Sequence, residues 1–249
     1  MALIPNVLNK FIFEQRESCR QINDRKVVSI KAIQPALRSL IFGALTRSNM
    51  NLFNTFGIIL GSNSPRRKEI LDFFSLPFTQ VNPDFDETQV LFKGDPAAFA
   101  SEVAHRKALC LIERFPNETI LTADTIVYRM GKIFLKPETI EEAHAMLLDL
   151  SGKEHQVFTG VCVAKNGECH VKAQVSTVLF HDLTNDQIDK YHKCFLPLDK
   201  AGGYAIQKGG SLIVKRIEGC YYNIMGLPLD TVSQLLLKAG IDLWDHLKS

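Results

Sequence analysis

From residue 55 onward, apolar and polar positions fall into blocks that predict strands, turns and helices in mixed order. Residues 56–60 are a short, almost continuous apolar run, the pattern of a buried strand. A polar turn follows over 61–64, and Pro65 opens a helix that the pattern carries to about Ser75. Ser64 suits the N-cap of that helix and Pro65 its first position. Residues 78–81 read as a short strand leading into the acidic loop 84–88. A longer helix is predicted over about 95–114, where Ala, Leu and Val recur at helical spacing. Residues 119–123 read as a strand and 126–128 continue extended. Met130-Gly131-Lys132 then turns the chain into 133–135 as a hairpin. A helix over 139–150 has Thr139 as N-cap and Glu141 and Glu142 in its first turn, where acidic groups suit the helix dipole.

The second half leans towards β-structure. Strands are predicted over 156–164 and 170–180 around the turn Lys165-Asn166-Gly167, and another over 211–217. Helices are predicted over 185–194 and 229–239, the last stopped by Gly240. Strands and helices mix without strict βαβ repetition, so the expected fold is α/β, with a mixed sheet and a cleft. Residues 1–54 stand apart as an N-terminal extension to a domain spanning 55–249. They show no strand–turn–helix order, although 31–45 fits a short helix. The segment reads either as a basic arm or targeting sequence, or as the result of a start placed too early, with Met50 the true start. Glu14, Glu17 and Asp24 weigh against a transit peptide.

Composition narrows the picture. The chain has 249 residues, 46% hydrophobic and 22% charged, enough for a substantial core. Residues 1–49 hold eight Lys and Arg against three Asp and Glu, whereas the remainder holds 21 against 24. The main body therefore has no bulk positive field for nucleic acid, and stable nucleic-acid binding is not expected. No apolar run approaches the roughly 18–20 residues that span a bilayer, and no secretory signal pattern stands at the N-terminus. The six cysteines form no C-x-x-C pair or zinc-type spacing, which fits buried free thiols in a reducing compartment. These readings together place the protein in the cytoplasm. Trp244, the single Trp, reads as a packing residue.

Four segments carry chemistry. In Ser62-Asn63-Ser64-Pro65-Arg66-Arg67 a strand ends, a polar turn follows and a helix begins. A helix N-terminus offers free N–H groups to an anion. Two arginines there oppose the helix dipole, a cost that an anion at the site would offset. Asp84, Asp86 and Glu87 form an acidic loop of the oxygen type that hard divalent cations take. Asp124 is delivered by an apolar strand, at what reads as its C-terminal end, the edge at which open α/β sheets place ligands. It is a candidate to hold a metal or to accept a proton from attacking water. Lys107 and Lys136 are point charges suited to phosphate. Each segment alone also fits an ordinary surface feature; together they supply cations for a polyphosphate and carboxylates for a metal and water.

The order of motifs resembles the Maf family. The resemblance rests on S-x-S-P-R-R at 62–67, D-x-D-E-T at 84–88, K-A at 107–108 and A-D-T at 123–125. It continues with K-P at 136–137, L-S-G-K-x-H-x-V-x-T-G at 150–160, K-A-G-G-Y-A-I-Q at 200–207 and G-L-P-L at 226–229. It covers roughly residues 56–243. It implies a mixed twisted sheet with flanking helices, forming two lobes around a deep cleft. It also implies metal-dependent hydrolysis of nucleoside triphosphates to monophosphate and pyrophosphate, a nucleotide-pool housecleaning role, with magnesium, manganese or cobalt as the ion. By resemblance, Asp124 is the catalytic base or metal-linked acid and Glu87 a metal carboxylate. Arg66, Arg67, Lys107 and Lys136 face phosphate, and Ser64 belongs to the turn that receives it. Arg66, Thr125 and Gln207 match positions linked to the dTTP/UTP branch, with modified pyrimidine nucleotides as further substrates. A glutamine amide offers the donor and the acceptor that a pyrimidine edge needs. The resemblance also suggests a homodimer. One position departs from the family: Leu196 stands where a Glu is usual, with Asp199 as a substitute carboxylate. That departure leaves a non-catalytic, nucleotide-binding regulator of cell division as the alternative. An RNA-binding protein using the basic arm is a third reading.

Overall fold

β1 (Ile58–Gly61) is buried at every position, as its unbroken apolar run predicts. It leads through a turn into α1 (Pro65–Leu71) and then into β2 (Phe78–Val81). The computed structural model describes residues 57–207 and 209–248. The extension 1–54, its expected helix over 31–45 and the alternative start at Met50 lie outside the described residues. The chain continues through α2 (Pro96–Ile112), β3 (Thr119–Arg129), β4 (Lys132–Phe134), α3 (Ile140–Leu150), β5 (Glu154–Lys165) and β6 (Glu168–Phe180). α4 (Asn185–Cys194), β7 (Val214–Glu218), α5 (Tyr221–Met225) and α6 (Leu229–Lys238) complete it.

The described strands form one seven-stranded mixed sheet in the order β2-β1-β3-β5-β6-β7, with β4 added to β3. β1 lies between β2 and β3, parallel to both, and every other pairing is antiparallel. The chain leaves β1 towards β2 on one side and returns through α2 to β3 on the other. That reversal is a topological switch point, where the connections diverge and leave a crevice beyond the strand ends. The β5–β6 hairpin turns at Asn166 and Gly167, both with positive φ, as a two-residue turn of right-twisted strands requires.

Strand alternation divides β3 between two cores. Ile120 and Ile126 face α2, packing with Ala104, Ala108, Leu111, Phe99 and Val103. Leu121 and Ala123 face the opposite side, against Ile70 and Leu71 of α1 and Val232, Leu235 and Leu236 of α6. Farther along that side, Val127, Val157 and Phe180 pack on Leu147 of α3 and Ile188 of α4. α2 lies directly on the sheet: a Cβ on Gly160 would fall 2.3 Å from the Ala100 carbonyl. Gly160 is the β5 partner of Asp124. The close approach that only glycine permits there brings α2 over the strand position that carries the carboxylate.

Several sequence expectations change. α1 ends at Leu71 rather than near Ser75, with Asp72 as C-cap. Ser64 is its N-cap by position, but its side chain makes no capping bond. The two extended stretches over 119–128 are one strand, and Asp124 lies in its middle rather than at its end. The strand expected over 211–217 starts only at Val214, after a 3-10 turn over Gly210–Leu212. Trp244 is 76% exposed and packs into no core. Of the described cysteines, which are all free, Cys162 is buried but Cys194 is exposed.

Gly160→Ala forces the α2 backbone away from β5. Overpacking of this kind costs about 1–3 kcal/mol, so the midpoint of urea unfolding should fall by a corresponding amount. An unchanged midpoint would show that α2 does not depend on this contact.

Candidate active site

β1 stops at Gly61, opposite Thr122 of β3, while β3 runs on to Arg129. β4 takes up the same edge only from Val127. Among the described residues no strand pairs with that edge in between, and a cleft of about 680 Å³ opens there. Ser64, Arg66, Arg67, Glu87, Lys107, Asp124, Thr125, Lys136 and Gln207 all line it. These candidates come from widely separated segments yet reach one cavity, whereas Asp84 and Asp86 of the acidic loop do not line it.

The alternation of β3 sends Asp124 to the α2 face and Thr125 to the α1 face. Asp124 meets Lys107, whose Nζ lies 2.7 Å from its Oδ1 and 2.6 Å from Oε1 of Glu87. Lys107 is on the core-facing stripe of α2, in line with Phe99, Val103 and Leu111, and its side chain is only 7% exposed. The sequence reading treated it as a phosphate contact, but here it joins the two carboxylates. The three acidic residues of the 84–87 loop divide their roles. Asp84 is drawn outward to Arg114 at 3.0 Å. Asp86 caps the 3-10 turn Glu87–Gln89 by accepting from the amide and hydroxyl of Thr88, bonds that hold its carboxyl below the usual range. Only Glu87 turns to Lys107.

Arg67 is the hub of the opposite wall. Its guanidinium donates to the Gly226 carbonyl at 2.7 Å, Ser62 Oγ at 3.0 Å and Thr125 Oγ1 at 3.0 Å. Burial lowers its pKa, and the neighbouring Asp124 charge opposes that shift. Three of its N–H groups are thus already used within the protein, and it fixes the Ser62 turn to β3 and α5. Gln80 of β2 holds the same turn by donating to the Ser62 and Ser64 carbonyls. Thr125 is held in turn by Thr159 Oγ1 at 3.0 Å, which donates to the Asn223 carbonyl.

Arg66 points across the mouth of the cleft to the Asp199 carboxylate at 2.6 Å and its carbonyl at 3.1 Å. Asp199 also pairs with Lys200. Lys136 is exposed and lines the same cleft. Gln207 Oε1 is buried and accepts no hydrogen bond from the described residues. Leu196 is 71% exposed and does not line the cleft that holds Glu87 and Asp124.

Among the described residues no group of three or more His, Cys, Asp or Glu is arranged to hold a metal. Two carboxylates do converge on one cation, the Lys107 ammonium. That donor set fits an ion of the magnesium type, which takes one or two carboxylates and completes its shell with water and phosphate.

Residues 57–239 match the family described as Maf-like protein. The chain belongs to the Maf family. It is 44% identical over 191 residues to a dTTP/UTP pyrophosphatase of Chlamydia caviae, covering 76% of this chain and 97% of that protein. A dTTP/UTP pyrophosphatase of Acholeplasma laidlawii is 42% identical over 179 residues, covering 72% and 94%. A nucleoside triphosphate pyrophosphatase of Chlamydia muridarum is 41% identical over 191 residues, covering 76% and 97%. No helix among the described residues is long and apolar enough to cross a membrane.

The Maf site also draws on residues that sequence reasoning passed over. Gln80 and Asn223 carry no charge and lie in no motif, while Ser62 and Thr159 lie in motifs that assigned them no role. Only their positions across the turn and sheet make them supports. Lys107 did leave a signal, a charge on the apolar stripe of a helix. His155 has a structural place. Its Nε2 lies 2.9 Å from the Tyr204 hydroxyl, and its ring packs edge-on against Phe180 and Tyr204. Burial pushes the imidazole down to about 4, while burial pushes the Tyr204 phenol far up, so its O–H stays protonated and can donate.

The unfolded chain therefore binds a proton at His155 below its ordinary pKa near 6.5, while the folded chain stays neutral until about 4. His155 should make stability fall as pH drops through that window, by about 3 kcal/mol at full effect. Urea unfolding at pH 7.5 and 4.5, for the wild type and His155→Gln, should show a smaller acid loss in the variant. Equal losses would refute it.

Proposed function

We propose that this Maf-family chain hydrolyses nucleoside triphosphates, dTTP and UTP foremost, to the monophosphate and pyrophosphate. The observation that carries this reading is the convergence of Asp124 and Glu87 with Arg66, Lys107 and Lys136 in one cleft at the switch point of the sheet. The names and extent of the similar proteins support it. Modified pyrimidine nucleotides entering the same cleft would make the reaction a cleansing of the nucleotide pool.

In this mechanism Arg66 and Lys136 grip the triphosphate, with Ser64 at the turn between β1 and α1. Arg67 contributes charge and holds the wall rigid. In the nucleotide-free protein Asp124 has one oxygen held by Lys107, and its Oδ2 accepts no hydrogen bond from the described residues. That oxygen orients the attacking water and accepts its proton. Water adds at the α-phosphorus, the bond to the bridging α–β oxygen breaks, and pyrophosphate leaves with the electron pair. Glu87 and Asp124 are the residues that would hold a divalent ion. Magnesium, manganese or cobalt there would neutralise phosphate charge as it develops. Positioning and charge stabilisation supply most of the catalysis in phosphoryl chemistry. Thr125 and Gln207 face the base. Gln207 Oε1, buried and without a partner among the described residues, would accept the N3–H of uracil or thymine, which cytosine does not offer. The proposal includes a homodimer in the cytoplasm.

Pyrophosphate release across a panel of canonical and modified triphosphates, with each of the three metals, tests the reading. dTTP and UTP should turn over fastest; nucleotide binding without turnover would favour the regulator instead. Asp124→Asn should lower kcat by at least about 100-fold while circular dichroism and thermal unfolding show an intact fold. Unchanged turnover in that variant would sink its assignment as base.

A further inference from the structure

The two carboxylates assigned to a divalent ion already have a cation. Lys107 Nζ lies 2.6 Å from Glu87 Oε1 and 2.7 Å from Asp124 Oδ1. An ion of the magnesium type bonds such oxygens at about 2.1 Å. An ion bonded to both of these oxygens would therefore crowd the ammonium between them. Two cations that close repel strongly in a poorly hydrated site, and the lysine side chain is only 7% exposed. We propose that Lys107 is the resident counter-cation of the Glu87–Asp124 pair, and that a divalent ion enters only by displacing its ammonium. The inference rests on the assignment of Glu87 and Asp124 as ion-holding carboxylates.

The surrounding structure limits how the displacement can occur. The stem of Lys107 is fixed on α2, which contacts β5 backbone-to-backbone at Gly160. The helix cannot retreat without opening the core around Ala104, Ala108 and Leu111. Only the flexible end of the side chain is free to move. The charge it carries then needs a new partner, since an unpaired buried ammonium is strongly unfavourable. Thr122 Oγ1 is already committed to the Ala104 carbonyl at 2.6 Å, so that side of α2 offers no replacement. The nucleotide phosphates, arriving in the same cleft, are the anions that can take the ammonium. Ion and nucleotide therefore enter together: each lowers the cost of the other, and the coupling is reciprocal. The free protein holds a divalent ion weakly, and the lysine passes from carboxylate partner to phosphate partner as the site fills.

Manganese titration of the nucleotide-free protein, followed by calorimetry and by the electron spin resonance of free Mn2+, tests this directly. Lys107→Met leaves the carboxylates without a competitor and should bind Mn2+ about tenfold or more tightly than the wild type. Lys107→Arg keeps the competing charge and should stay as weak as the wild type. Lys107→Met combined with Asp124→Asn should lose the gain. If Lys107→Met is marginally folded, Mn2+ should raise its Tm more than it raises that of the wild type. Mn2+ binding to the wild type as tight as to Lys107→Met, or an equal Tm rise in both, overturns the proposal. No nucleotide or turnover enters these titrations. An inactive protein would undo the pyrophosphatase reading and leave their result standing.

Discussion

The site depends on a buried ammonium held between two carboxylates beneath α2. Lys107 can occupy that place only because α2 lies directly on the sheet, and α2 can lie there only because β5 has no side chain at Gly160. The backbone contact sets the height of the helix, and the helix sets the reach of the lysine. The lysine in turn draws Glu87 in from its loop to Asp124. Removing one member of such a group leaves an uncompensated buried charge, commonly a loss of about 3–5 kcal/mol. The same interaction therefore serves both folding and chemistry.

The facing wall is organised by hydrogen bonds around Arg67. The guanidinium joins the Ser62 turn, Thr125 of β3 and the C-cap carbonyl of α5 at Gly226. Elements far apart in sequence are thereby locked together into one wall of the cleft. Arg66, next along the chain, points instead across the mouth to Asp199. Consecutive arginines thus divide into one that holds the wall and one that remains near its opening. The exposed Leu196 lies outside this arrangement, and Asp199 supplies its carboxylate to Arg66 rather than to the Glu87–Asp124 pair.

Local structure was legible wherever a single segment decides its own conformation. The Asn166-Gly167 hairpin, the Thr139 cap of α3 and the helix α4 follow from turn chemistry, capping and periodicity. The candidate site was legible as a set of residue types in order, which was enough to point to a nucleotide and its phosphates. The errors have physical causes. α1 was read too long because residues 72–75 stay apolar enough to continue it, yet the chain turns there to reach β2. Asp124 was placed at a strand end because a carboxylate breaks an apolar run. In the fold, pairing with β5 continues straight through it. Trp244 was assigned to packing by residue type, although the last 3-10 turn leaves it in solvent.

The amino-acid order by itself determined the family, the mixed α/β class and which side chains would matter, because these depend on local periodicity and on residue types in a fixed succession. Tertiary structure decided how those side chains are partnered. Residue type alone separates neither Arg66 from Arg67 nor Glu87 from Asp84 and Asp86; only the family resemblance singled out Arg66 and Glu87. Neighbours in sequence differ in role because a turn or the alternation of a strand sends them to different partners. Lys107 shows this most clearly. Its sequence reading was a cation for phosphate; its place under α2 makes it first a cation for Glu87 and Asp124. The identity of a charge is set by the residue, but its partner is set by which backbones can approach closely enough to bring the two together.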